Sequence, residues 1–152
     1  MMRTVVKTFD SLTTTELYSI LQLRSAVFVV EQDCVYQDMD GKDKSALHVL
    51  GIKKDEVVAY TRIFGPGDYF DAASIGRVVV RDDERKYGYG RDIMEASIKA
   101  VVAHFGETEI QVSAQAHLEK FYTSLEFTAF GEGYLEDGIP HIGMRRPKRI
   151  KN

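Results

Sequence analysis

The stretch "RKYGYGRDIMEA", Arg85 to Ala96, sets two glycines and three cations between a strand-like run and a helix-like one. Upstream, "IGRVVV" is rich in β-branched residues. Downstream, Ile93, Met94, Ser97, Ile98, Val101 and Val102 recur at helical steps along one stripe. The glycines therefore fall in a strand-to-helix turn, where backbone N–H groups lie uncovered and the positive end of the helix dipole is close. Such a turn holds an anion. A dinucleotide fingerprint requires glycine where Ile93 stands, and a Walker loop requires a G-K-S/T that is absent. What remains is a basic G-x-G turn suited to a pyrophosphate.

Outward from that turn the chain alternates between the two hydrophobic periods. "RTVVKTF" reads as a strand, and in "LTTTELYSILQLRSAVFVV" Leu17, Ile20, Leu21, Arg24, Val27 and Phe28 give an amphipathic helix opened by a Thr13/Glu16 capping box. After the polar, irregular "QDCVYQDMDGKDKS", the runs "ALHVLGIK" and "VVAYTRIF" form a hairpin about "KDE". Beyond the glycine turn and its helix come the strand "TEIQVSA", the short helix "HLEKFYTSL", and the strands "FTAFGEGYL" and "IPHIGMRR" on either side of "EDG". The predicted order is β-α-β-β-β-α-β-α-β-β. No repeat, linker or shift in composition divides the chain, so residues 1–152 read as a single α/β domain. Its sheet is mixed and mostly antiparallel, flanked by helices, because the antiparallel middle joined to βα crossovers excludes a uniformly parallel, doubly wound sheet.

Composition narrows the function classes. A net charge of −3 argues against nucleic-acid or membrane partners, and the locally basic "MRRPKRIKN" reads as a solvated end. The single Cys34 cannot form an internal disulfide and no signal-peptide core is present, so the expected location is the cytoplasm. The carboxylates of "QDMDGKD" miss the EF-hand pattern and no His/Cys/Asp cluster has metal-ligand spacing, so no metal is expected. That segment reads as a mobile acidic loop steering a cationic amine. A serine hydrolase is disfavoured because no G-x-S-x-G elbow is present.

The chain resembles the GCN5-related N-acetyltransferase (GNAT) superfamily, whose coenzyme A motif R/Q-x-x-G-x-G/A is matched by Arg85, Gly88 and Gly90. A second motif, N-x-x-A-x-x-F-Y-x-x-x-G-F, is similar to "QAHLEKFYTSLEF", with Gln115 for Asn, Leu118 for Ala and Glu126 for a helix-ending glycine. "LRSAVFVVEQDCVYQDMDGKD", "QAHLEKFY" and "EDGIPHIGM" are similar to the ElaA-like branch of that superfamily. The resemblance implies a sheet with splayed central strands, acetyl-CoA as co-substrate, and an amine acceptor that is a small molecule or a peptide. A monomer or homodimer is expected.

The same resemblance implies that Arg85, Lys86, Tyr87, Gly88, Tyr89, Gly90 and Arg91 hold the pyrophosphate. Val78, Val79 and Val80 offer backbone groups to pantetheine, with Val79 as donor to the thioester oxygen, and Gln115 bonds the pantetheine amide. Acetyl transfer also needs a neutral amine and a protonated leaving thiolate. Tyr122 fits the second role, its phenol of reference pKa about 10 being a proton donor at neutral pH, unless it is one more core aromatic beside Phe121. Glu31, His141 and His117 are the candidate bases near the acceptor, His141 ahead of His117, and Glu31 and His117 are also candidate substrate contacts. Glu31 with Arg24 either binds the acceptor or forms a plain ion pair. Two further readings share the glycine turn: a non-catalytic acyl-CoA sensor, and an acyl transferase making an autoinducer-like signal.

Overall fold

The computed structural model describes residues 1–149. Strand β1 (Arg3–Thr8) leads into α1 (Thr14–Arg24), which starts where the capping box predicts: Thr13 Oγ1 accepts from Glu16 N–H at 3.0 Å, and the Glu16 carboxylate accepts from Thr13 N–H at 2.8 Å. The helix does not stop at Arg24. Residues Ser25–Glu31 continue it as a π-helix, with N–H groups of Gln32 and Cys34 bonding the carbonyls of Val27 and Val29 five residues back. Widening the turn keeps Leu23, Val27 and Phe28 on the sheet side, where they pack with Tyr60 and Val79.

Strands β2 (Leu47–Lys53) and β3 (Glu56–Phe64) form the expected hairpin, its two turn residues Lys54 and Asp55 both at positive φ as a type I′ turn requires. Then follow β4 (Ala73–Val80), α2 (Tyr89–Phe105), β5 (Ile110–Gln115), α3 (Glu119–Thr123), β6 (Thr128–Glu136) and β7 (Ile139–Arg146). Among the described residues the sheet order is β1-β2-β3-β4-β5-β7-β6, with β4–β5 the one parallel pair and every other pair antiparallel. Alternation splits the sheet's apolar residues between two cores. Val49, Ile63, Ile75, Ile110 and Val112 lie under α2, whereas Leu50, Tyr60 and Val79 lie under α1.

One defect sets the architecture of the middle. Between Tyr60 and Arg62 the register slips, so Arg77 and Val78 of β4 stand opposite the single Thr61 of β3. Arg77 occupies this bulge at φ 49, left-handed space that an arginine seldom enters. Strand β4 pairs with β5 only at Ala73–Ile110 and Ser74–Gln111. Beyond Ser74 the two strands part, giving the splayed centre that the family resemblance implies.

Candidate active site

The gap between β4 and β5 opens into two cavities that meet. A donor groove of about 420 Å³ runs along Val78, Val79 and Val80 to the start of α2, and a second cleft of about 370 Å³ runs toward the β6–β7 turn. They share Phe28, Gln32, Val78, Gln115, Leu118 and Tyr122. These six residues come from the π-helix, the parted strands and the approach to α3.

In the donor groove the backbone of β4 faces open space. Arg81 N–H donates to Val58 O at 2.8 Å, and alternation along the strand turns the Val79 N–H toward β3 as well, opposite Tyr60. Val79 is therefore not the free donor that the sequence reading expects; the N–H groups of Val78 and Val80 face the gap. Past β4 the chain makes a 3-10 turn over Asp82–Tyr87 and enters α2 through Gly88, whose φ of 74 only glycine adopts without strain. The N–H groups of Tyr89, Gly90 and Arg91 at the first turn of α2 have no helical carbonyl before them.

Of that turn, Arg85 and Gly90 line the groove; Lys86, Tyr87, Gly88, Tyr89 and Arg91 lie outside its walls. Tyr89 is buried, with Lys53 over its ring at 5.4 Å, and Arg91 pairs with Glu95 at 3.1 Å. Arg85 is already engaged: its guanidinium forks onto Glu31 at 2.6 and 2.9 Å, and its Nε donates to Val80 O at 3.1 Å. Glu31 thus borders the donor groove and not the acceptor cleft, and its partner is Arg85 and not Arg24.

Tyr122 stands where the cavities join. Its ring meets Phe121 and Phe127 edge-on, and the side chain is 5% exposed. Burial alone pushes its phenol up to about 12, so the proton stays on the oxygen at any physiological pH. Gln115, the last residue of β5, is half-buried beside it. His141 lies in the cleft beyond, its Nδ1 2.7 Å from Ile139 O and its Nε2 3.3 Å from Glu136 Oε2. His117 is exposed on the 3-10 turn before α3, on the donor side.

The remaining wall of the cleft overturns two expectations. Arg24 is fully buried, with Nε on Asp38 at 2.8 Å and Nη1 on Asp43 at 2.8 Å, and it reaches neither cavity. The segment expected as a mobile acidic loop is instead folded inward. Asp38, Asp40 and Asp43 face Arg24, Arg62 and Arg77, three charges against three. Arg62 bonds Asp40 at 2.6 Å and Asp43 at 3.0 Å. Arg77 sits 2.8 Å from Asp38 Oδ1, off the N–H line, and donates from Nη2 to Asp38 O at 3.0 Å. The Arg62 hydrogen bond holds the Asp40 carboxyl well below the usual carboxylate range. Arg62 and Arg77 line the cleft, although sequence reasoning singled out neither. Their signal was an arginine inside each apolar strand, "VVAYTRIF" and "SIGRVVV". At the other end of the chain, the basic tail is not wholly solvated: Arg146 is buried, and it and Arg149 pair with Glu126; Ile150, Lys151 and Asn152 lie outside the described residues. Among the described residues no group of three His, Cys, Asp or Glu is placed to hold a metal ion.

Comparison with known proteins agrees with this geometry. Residues 14–147 match the acetyltransferase (GNAT) domain. Over 139 residues the sequence is 46% identical to protein ElaA of Escherichia coli strain K12, covering 90% of this chain and 91% of that one. A crystal structure of an acyl-CoA N-acyltransferase from Pseudomonas aeruginosa is similar with a TM-score of 0.91 at 41% identity, covering 96% of this chain and 99% of that one. The crystal structure of Escherichia coli ElaA is similar with a TM-score of 0.89 at 42% identity, over the same shares.

Proposed function

Since the chain belongs to the acetyltransferase (GNAT) family, and to its ElaA-like branch, we propose that it transfers the acetyl group of acetyl-CoA to a primary amine held in the cleft beyond Tyr122. The observation that carries this reading is the meeting of donor groove and cleft at one buried tyrosine. The groove's features fit the cofactor. An unpaired strand edge suits the pantetheine amides, and the N–H groups that open α2 suit a pyrophosphate. When bound, the thioester supplies an activated acyl carbon.

The chain's own groups do the rest. Val78, which borders both cavities, directs its N–H at the thioester oxygen, and Gln115 holds the pantetheine arm from β5. The parted strands admit the amine on the cleft side, so that both substrates are present together and attack is direct. The Tyr122 hydroxyl donates to the departing sulfur. Its raised pKa does not forbid the transfer, because a thiolate formed in the same water-poor junction gains basicity for the same reason. His141 takes the amine proton.

Incubating the protein with acetyl-CoA and an amine library, with CoA release followed by a thiol reagent and products by mass spectrometry, tests the reading. Acetylated product with stoichiometric CoA is expected. CoA binding without any product would leave the sensor reading in its place.

A further inference from the structure

Resting on that acyl-transfer reading, we infer that the acceptor is a small primary amine carried on a flat aromatic body. The cleft's volume of about 370 Å³ lies at the small end for small-molecule sites. Cys34 Sγ donates to Asp137 O at 3.3 Å, tying the segment after the π-helix to the β6–β7 turn at the rim of the cleft that both line.

The end of the cleft away from Tyr122 is aromatic. Phe64 stacks on Tyr69 with centroids 5.1 Å apart, and Phe70 meets Tyr69 edge-on at 4.8 Å. Ser74, opposite Phe64 in the sheet, is four residues from Val78, so this end lies roughly 13 Å or less from the junction along β4. A ring seated there reaches Val78 and Tyr122 with its amine through a short flexible spacer.

A cation borders this end. Arg62 lies 5.3 Å from the Phe64 ring centroid and 5.8 Å from that of Tyr69, and Lys42 lies 5.7 Å from Tyr69. An electron-rich ring gains from the guanidinium beside it.

The test compares kcat/KM with acetyl-CoA for phenethylamine and tyramine against n-propylamine, spermidine, phenylalanine and a lysine-containing peptide. The aryl amines are expected to exceed all the others at least tenfold. Phe70→Ala is expected to raise their KM at least fivefold while leaving the KM for acetyl-CoA unchanged, and Phe70→Leu, which keeps the volume apolar, to lie between. Spermidine or the peptide matching the aryl amines would overturn the acceptor class and leave acyl transfer standing. Absence of product from every amine, with CoA binding intact, would overturn both.

Discussion

At the scale of single residues, the two glycines of the motif serve different purposes. Gly88 is required by backbone conformation, since a side chain at its φ of 74 costs about 1–2 kcal/mol whatever space surrounds it. Gly90 is not. A Cβ there would meet only Phe121 and Val80, at 3.8 and 3.9 Å, which is ordinary contact. Gly90→Ala should therefore leave thermal stability within about a degree of the wild type yet weaken CoA binding at least tenfold in calorimetry, because the added methyl stands where the backbone must approach the pyrophosphate. Unchanged affinity would remove the pyrophosphate from this turn. Tyr122 is the second residue whose role separates from its packing. Tyr122→Phe keeps the edge-on contacts with Phe121 and Phe127 and loses only the hydroxyl, so CoA affinity should persist while the single-turnover rate falls by about 10²-fold, the scale of a lost general acid. Glu126, standing where the family has glycine, adopts the left-handed turn all the same at φ 72. Its carboxylate faces Arg146 and Arg149, contacts that offset the strain.

At the scale of elements, the Glu31–Arg85 fork joins the end of the π-helix to the turn before α2 across the donor groove. It sets a carboxylate where a pyrophosphate must bind. Glu31→Gln should free Arg85 and tighten CoA binding two- to fivefold at low salt, a modest gain because both side chains are about 40% exposed and the pair is screened. A weakened affinity would mean that Glu31 holds Arg85 in its working position instead. The elements themselves were legible because each has a period or a cap: the Thr13 box, the stripe on α2, the "KDE" hairpin. The π-helix was not, since over seven residues a 3.6-residue and a wider repeat place the same apolar side chains inward. The β4 bulge was equally hidden, as "SIGRVVV" alternates well enough to pass for a regular strand. With the bulge went the assignment of Val79, because one extra residue decides which N–H groups face the gap. The glycine turn falls between β4 and α2 and Tyr122 falls on α3, as their local patterns predict, but which side chains border the cavities depends on contacts across the fold.

Over the whole molecule, the least legible feature is the ring of three arginines and three aspartates under the cleft. Asp-rich sequence is ordinarily solvated surface, and the partners of Asp38, Asp40 and Asp43 lie 14 to 39 residues away in sequence. Pairing at that range is visible only once the sheet has brought Arg62 and Arg77 together. The ring ties the segment after α1 to β3 and β4, so its loss should act on stability and on the cleft together. Burial works to raise the Asp43 carboxyl, and Arg24 and Arg62 outweigh it; Asp40 is lowered by Arg62. Both carboxyls thus lie below their unfolded values, so their contribution is present above about pH 4 and is lost as pH falls through the folded values. Burial lowers His48, whose Nε2 lies 2.9 Å from Asp43 O, so the unfolded chain takes that proton first and stability begins to fall below about pH 6.5. Urea midpoints should therefore decline gently from pH 7 to 5 and steeply below 4. Asp43→Asn leaves Arg24 and Arg62 short of a counter-charge and should cost about 3–5 kcal/mol at pH 7 while flattening the acid limb. Because Arg62 lines the cleft, any folded fraction of that variant should show a raised KM for the acceptor with CoA affinity unchanged, as the donor groove touches none of the six charges. A parallel loss of CoA affinity would mean that the ring supports the β4 edge as a whole and not the cleft alone.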